Sequence, residues 1–181
     1  FSMIEDRDGK LWFSAFGGGI SCFDGQTFRT YTRDDGLAHN EVFSVFQDST
    51  GIFWFATELG ATRFDGQTFR SYTTKDGLAH NEVSSVSEDK DGNLWFGTEG
   101  GVSFFDGQTF RNLTTEDGLA HNSVSDIYQD ENGHWWFATE GGVSRYTGQY
   151  FTTFTTGEGL GANWCRKIYC DQDGCLWFVT D

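Results

Sequence analysis

The strongest constraint on the fold of this chain is that one unit of about 41 residues recurs along its whole length. The segment FDGQTF starts at residues 23, 64 and 105, and the related YTGQYF starts at residue 146. DGLAHN starts at residues 35, 76 and 117, and the related EGLGAN starts at residue 158. A Trp-Phe pair starts at residues 12, 54, 95, 136 and 177. Repeats of this kind indicate one structural unit that packs against copies of itself.

A single unit, residues 83–123, predicts four short β-strands joined by tight turns. The apolar and β-branched runs VSSVSED, NLWFGT, VSFFD and TFRNLTT are separated by DKDG, EGG and DGQ, which are turn sequences. Apolar residues occur in short runs and lack helical spacing, so the unit is all-β. The four strands are therefore expected to form a meander.

Four strands in about 40 residues are typical of a β-propeller blade, because a sheet this small buries its rings only by stacking on a neighbour. We predict a single all-β array over residues 1–181, with four complete blades and the first two strands of a fifth. The Trp-Phe pair should pack between adjacent blades. The predicted blades are residues 1–41, 42–82, 83–123, 124–164 and, in part, 165–181.

The acidic composition of the chain limits the kinds of molecule that it is expected to bind. The chain carries 27 acidic and 12 basic residues, a net charge of -15, and its pI is about 4.4. Such a charge disfavours nucleic acids and anionic membranes, so neither is an expected partner. Cys170 and Cys175 flank the predicted hairpin turn DQDG, where a cross-strand disulfide and two free thiols are the alternatives.

The segment EDKDGNLWFGTEGGVSFFDGQTFRNLTTEDGL resembles the two-component regulator propeller repeat, and the resemblance extends over the whole chain. It implies a β-propeller of the kind found in extracellular or periplasmic sensor regions of bacterial hybrid histidine kinases, which often sense polysaccharide fragments. DGNLWF followed by TEGG is also similar to the repeat of streptogramin lyases, which implies a metal-dependent lyase as the alternative function.

The chain shows no catalytic motif, and we expect no enzyme activity, no cofactor and no metal site. His39, His80 and His121 recur once per blade. Packed sheets lie about 10 Å apart, whereas metal–nitrogen bonds are about 2 Å long, so equivalent histidines of successive blades cannot share one ion. We interpret them as hydrogen-bonding residues that fix the loops.

Candidate ligand-binding residues come from positions that vary between blades. The first strand of each blade should line the central channel, and its second and third residues run Phe43-Ser44, Ser84-Ser85, Ser125-Asp126 and Arg166-Lys167. Trp164 lies beside the last pair, and a Trp next to two cations suits a sugar ring or a carboxylate. The predicted binding residues are Trp164, Arg166, Lys167, Asp126 and Phe43.

The sequence therefore predicts a non-catalytic recognition or assembly module. A small molecule or glycan is the expected ligand. The incomplete fifth blade predicts that the ring is completed by closure, by further blades or by association with a second copy.

Overall fold

The computed structural model describes residues 2–181, and it contains the predicted all-β array of propeller blades. Within residues 2–181, eighteen strands form four four-stranded antiparallel sheets and one two-stranded sheet, each connected as a meander in chain order. We call each sheet a blade and the first strand of each blade its inner strand.

The strands of the five blades have the following bounds. Blade 1 contains β1 (Met3–Glu5), β2 (Leu11–Ala15), β3 (Gly19–Phe23) and β4 (Phe28–Tyr31). Blade 2 contains β5 (Val42–Gln47), β6 (Phe53–Thr57), β7 (Gly60–Phe64) and β8 (Phe69–Tyr72). Blade 3 contains β9 (Val83–Glu88), β10 (Leu94–Thr98), β11 (Gly101–Phe105) and β12 (Phe110–Leu113). Blade 4 contains β13 (Val124–Gln129), β14 (Trp135–Thr139), β15 (Gly142–Tyr146) and β16 (Phe151–Phe154), and blade 5 contains β17 (Cys165–Cys170) and β18 (Leu176–Thr180).

The turn between the first two strands of each blade is built around one aspartate. Asp48 Oδ1 accepts the amide N–H groups of Thr50 and Ile52 at 2.9 and 3.0 Å. Its Oδ2 accepts the indole N–H of Trp54 at 2.9 Å. The same indole bond is made by Asp6, Asp89, Asp130 and Asp171. One carboxylate therefore sets both the hairpin turn and the orientation of the blade's tryptophan.

Glycine is required at the turn between the second and third strands. Gly60 has a φ of +141°, and a Cβ at this position would lie 2.4 Å from the carbonyl oxygen of Tyr72. Neither the backbone conformation nor the space admits a side chain. Gly101 and Gly142 occupy the same position in blades 3 and 4.

The hydrophobic core lies between the blades, as the sequence predicted. Trp54 packs against Phe96 and Phe105 of the following blade, with ring centroids 5.7 and 6.3 Å apart. The phenylalanine of the pair faces the preceding blade, where Phe55 lies 6.0 Å from Trp12. Each blade therefore buries its rings only because a neighbouring blade covers them.

A short 3₁₀ turn follows the fourth strand, and the predicted four-strand unit did not include it. It spans Arg33–Asp35, Thr115–Asp117 and Thr156–Glu158 in blades 1, 3 and 4. A capping box closes the blade 3 turn, because the Thr114 side chain accepts a backbone N–H while Asp117 accepts the N–H of Thr114. The Thr-x-x-Asp/Glu spacing was the available signal in the sequence.

Two further features concern the chain as a whole. Cys170 and Cys175 are free thiols, so of the two alternatives, a disulfide and two free thiols, the structure has the second. Among residues 2–181, no helix has the length and apolar character needed to cross a membrane.

Candidate ligand groove

The inner strands of all five blades converge on one concave groove with a volume of about 750 Å³. We call it the central groove. β5 packs on β9, β9 on β13 and β13 on β17, and β1 packs on β5. Within residues 2–181, β17 and β18 make no comparable packing against blade 1. The groove is lined by Ser2, Met3, Phe43, Ser44, Glu82, Ser84, Ser85, Glu99, Ser125, Asp126, Trp164, Arg166 and Lys167.

A β-bulge explains why two consecutive residues of each inner strand line the groove. In an ordinary strand, successive side chains point to opposite faces. In blade 2 the register passes from Val42 paired with Thr57 to Ser44 paired with Ala56, so Phe43 is the extra residue. The same shift occurs in blades 3, 4 and 5. A bulge re-aims the side chains around it, and it here places a variable pair in the groove.

The blade 3 side of the groove is lined by serine hydroxyls. Ser84 Oγ bridges two strands, because it lies 2.5 Å from the carbonyl oxygen of Val124 and 3.0 Å from that of Gly97. Ser85 differs, since it is only 5% exposed and its Oγ has no hydrogen-bond partner among the described residues. A buried hydroxyl without a partner is uncommon and costly.

The blade 4 and blade 5 part of the groove carries charged side chains, and the structure pairs them with one another. Lys167 Nζ lies 3.3 Å from Asp126 Oδ2, which also accepts the amide N–H of Ile168 at 2.9 Å. Burial raises the pKa of Asp126, and Lys167 offsets part of that shift. Arg166 makes a two-point bond to Asp181, and its guanidinium lies 4.1 Å from the ring centre of Trp164.

The rim of the groove beside the serines is acidic. Glu82 directly precedes β9 and Glu99 directly follows β10, and the amide N–H of Glu99 donates to the carbonyl oxygen of Glu82. Desolvation and then the charge of Glu99 raise the pKa of Glu82. The cationic residues of the groove thus come from blade 5, and this acidic pair comes from blade 3.

All five predicted binding residues line the central groove. Two contacts join four of them: Arg166 stacks on Trp164, and Lys167 pairs with Asp126. Phe43 lies apart on β5 and is half-buried. Ser85 belongs to one of the variable pairs expected in the channel and was not among the predicted binding residues, whereas the sequence did not indicate Glu82 or Glu99 as lining residues.

The repeated histidines fix their loops, as the sequence predicted. Nδ1 of His121 accepts the amide N–H of Ser123 at 3.1 Å, and His80 makes the same bond with Glu82. Nδ1 of His39 likewise accepts the amide N–H of Glu41 at 3.2 Å. Each imidazole therefore closes the connection between one blade and the next.

Comparison with known proteins agrees with this architecture. Residues 36–58, 77–100 and 118–141 match the two component regulator propeller family. No curated protein sequence matches the chain.

Solved structures with the same fold include sensor and lyase propellers. The extracellular domain assigned to the hybrid two component system BT3049 of B. thetaiotaomicron superposes with a TM-score of 0.85 at 26% identity, over 97% of this chain and 25% of that domain. The corresponding domain of BT4673 from the same organism superposes with a TM-score of 0.63 at 20% identity, over 99% of this chain and 34% of that one.

Virginiamycin B lyase from Staphylococcus aureus gives a TM-score of 0.78 at 20% identity, over 99% of this chain and 62% of the lyase.

This chain spans a quarter of the length of the BT3049 domain. The matched segments contain the first two strands of blades 2, 3 and 4 and the connections that precede them. The chain therefore carries three segments that match the two component regulator propeller family, on a fold that solved propellers share.

Proposed function

We propose that this chain is a non-catalytic recognition module that binds an oligosaccharide in the central groove. The observation that carries the proposal is the contrast between scaffold and groove. The packing residues recur from blade to blade, whereas the paired residues at the bulges change from Phe-Ser to Ser-Ser, Ser-Asp and Arg-Lys. Variation confined to a concave surface on a repeated scaffold is what ligand specificity requires.

Two features of the groove suit the hydroxyl groups and the apolar face of a sugar. Trp164 is 40% exposed within the groove and offers an aromatic surface for stacking. The Ser85 hydroxyl has no partner among the described residues, and a hydroxyl both donates and accepts. Because Ser85 Oγ is buried in the free structure, a sugar hydroxyl would supply its missing hydrogen bond once the side chain rotates into the groove.

The charges of the groove favour a neutral ligand over a carboxylate. Arg166 is neutralised by Asp181, and Lys167 is neutralised by Asp126. Glu82 and Glu99 add negative charge to the lining of the groove. An anionic ligand would have to displace these pairs and approach an acidic rim, which costs electrostatic free energy.

The proposal is tested by titrating neutral oligosaccharides against the wild-type chain and the Trp164→Ala variant by calorimetry. Loss of the stacking surface should weaken binding by about tenfold. Trp177→Ala is the matched control, because Trp177 is an exposed tryptophan outside the groove and its removal should leave affinity unchanged. Equal affinity of wild type and Trp164→Ala would exclude this site.

The likeness to virginiamycin B lyase makes a metal-dependent lyase the alternative. Such an enzyme would show Mg²⁺-dependent turnover that is lost in His121→Ala. We favour recognition because His121 Nδ1 accepts the amide N–H of Ser123, as it would in a purely structural role. An extracellular or periplasmic location is part of the proposal, and the likeness to the extracellular BT3049 domain supports it.

Assembly with further blades is a second candidate, and the surface of blade 5 favours it. Trp177 and Val179 are 60% and 53% exposed, although their counterparts Trp54 and Ala56 are covered by a following blade. We propose that propeller repeats, in the same polypeptide or a second copy, cover this face. The solution mass of the 181-residue chain tests the second copy, since a strict monomer at high concentration would contradict it.

A further inference from the structure

A cluster of three side chains beside the central groove brings together three atoms that can each bind a cation. His39 Nδ1 lies 3.1 Å from Glu58 Oε2 and 4.0 Å from Glu41 Oε2. Within residues 2–181, this is the one set of three His, Cys, Asp or Glu side chains whose ligand atoms all lie within 4.8 Å of one another. All three side chains are partly buried, so they are held in place and remain reachable.

The local structure explains why these groups converge. Glu41 and Glu58 flank the first two strands of blade 2, and the amide N–H of Glu58 donates to the carbonyl oxygen of Glu41. Their side chains are therefore cross-strand neighbours, an arrangement that is unfavourable for two like charges. His39 is fixed beside them because its Nδ1 accepts the amide N–H of Glu41 at 3.2 Å. That bond uses the lone pair of Nδ1, so an ion bound through Nδ1 replaces the Glu41 amide as its partner.

Three electron-rich atoms facing one another need a positive species between them. A proton shared by the two carboxylates is one such species. A divalent metal ion is another, and it satisfies both carboxylates and the imidazole at once. Metal–ligand distances of about 2 Å place the donor atoms of one tetrahedral site about 3.3 Å apart. The distances of 3.1 and 4.0 Å from His39 Nδ1 to the two carboxylates lie on either side of this value.

From this convergence we infer that His39, Glu41 and Glu58 form a binding site for one divalent transition-metal ion such as Zn²⁺. An imidazole with two carboxylates suits Zn²⁺ better than Ca²⁺, which prefers oxygen ligands alone. Three protein ligands leave a fourth position for water or for a ligand oxygen. The site is independent of whether the groove binds a sugar.

Blade 3 provides an internal control, because it carries the same residue types at His80, Glu82 and Glu99 without the same convergence. The difference follows from one residue of the next blade. Ser123 Oγ donates to Glu99 Oε1 at 3.0 Å and holds that carboxylate away from the cluster. Glu82 occupies the corresponding position next to Glu58, and an ionised carboxylate has no proton to donate. Glu58 therefore stays beside His39.

The experiment is a calorimetric titration of ZnCl₂ into the full 181-residue chain after treatment with EDTA. The chain carries Cys170→Ser and Cys175→Ser, since these free thiols would compete for Zn²⁺. We expect one ion per chain, a rise in the melting temperature, and an affinity that falls about tenfold or more in His39→Gln and in Glu58→Gln. His80→Gln should bind as tightly as the parent.

The outcomes separate the site from adventitious binding. Unfolding curves recorded in EDTA establish that the variants are folded, and Glu58→Gln keeps the test decisive if His39→Gln loosens its loop. The inference is overturned if the parent binds no Zn²⁺. It is equally overturned if His39→Gln and Glu58→Gln both bind as tightly as the parent, or if His80→Gln weakens binding to the same extent.

Discussion

Trp54 and Trp177 occupy the same position in blades 2 and 5, yet their surroundings differ sharply. Both donate their indole N–H to the aspartate six residues earlier, at 2.9 Å in blade 2 and 2.7 Å in blade 5. Trp54 is 3% exposed because Phe96 and Phe105 of blade 3 cover it, whereas Trp177 is 60% exposed. The hairpin orients each ring, and only a neighbouring blade buries it.

This contrast shows which contacts determine the stability of the array. The turn aspartates and their hydrogen bonds are complete within each blade, including the two-stranded fifth. The four clusters of buried hydrophobic residues, in contrast, each combine two successive blades. Since apolar burial is the dominant favourable contribution to folding, the junctions between blades determine how stable the array is.

The largest expected effect tests this contrast directly. Trp54→Ala should lower the free energy of unfolding by about 3–5 kcal/mol, because it leaves a cavity in a closed junction. Trp177→Ala should change it by less than about 1 kcal/mol, because little surface is buried there. Urea unfolding followed by circular dichroism measures both. Equal losses in the two variants would show that the indole–aspartate bond, and not the neighbouring blade, dominates.

An intermediate effect is expected at the junction between blades 4 and 5. Asp126 accepts the buried amide N–H of Ile168, so Asp126→Ala leaves that donor unpaired. The expected loss is about 1–3 kcal/mol. Ser85 is the corresponding residue of blade 3 and makes no such bond, so Ser85→Ala is the matched control with a smaller loss. A Ser85→Ala variant as unstable as Asp126→Ala would contradict this account.

The smallest effect concerns the turn between the third and fourth strands, where a regular blade and an irregular one differ again. Asp65 of blade 2 accepts the amide N–H and hydroxyl of Thr68 and the amide N–H of Gln67, and these bonds hold its pKa well below its usual range. In blade 4 the corresponding residue is Thr147, whose bond to the Tyr150 amide N–H measures 3.4 Å.

Because the pKa of Asp65 is lower in the folded protein than in the unfolded chain, its stabilising effect is complete at neutral pH and declines as the pH falls below about 4. Asp65→Asn should therefore be less stable than wild type at pH 7, with a difference that narrows on acidification. Thr147→Asn removes no titrating group, so its effect should not depend on pH. Urea unfolding at several pH values provides the comparison, and a constant difference for Asp65→Asn would refute it.

The sequence predicted the fold because its signals repeat. Turn residues, apolar runs and the Trp-Phe pair recur at a fixed spacing, so each unit supports the interpretation of the others. The 3₁₀ turns were missed because the Thr-x-x-Asp spacing closes only a single turn and leaves no periodic pattern. The β-bulge was missed because Phe43-Ser44 and its equivalents do not reveal from spacing alone which residue is the extra one.

The position of the groove could be predicted from the sequence, but the contacts between its side chains could not. The five predicted binding residues were chosen because they vary on or next to the inner strands, and all of them line the groove. The pairing of Arg166 with Asp181 and of Lys167 with Asp126 depends on which strands become neighbours. The convergence of His39, Glu41 and Glu58 depends on Glu82, which lies 41 positions after Glu41. The equivalent residue of blade 4 is Ser123, whose hydroxyl binds Glu99.

The bond between each turn aspartate and its tryptophan has a consequence for how the chain is synthesised. The two residues are separated by six positions in the sequence, and both lie within one hairpin. Hairpins close within microseconds, whereas a ribosome adds each residue in a fraction of a second. Every blade emerging from the exit tunnel can thus set its indole in place before the next blade exists, and each newly made hairpin meets a surface already shaped to receive it.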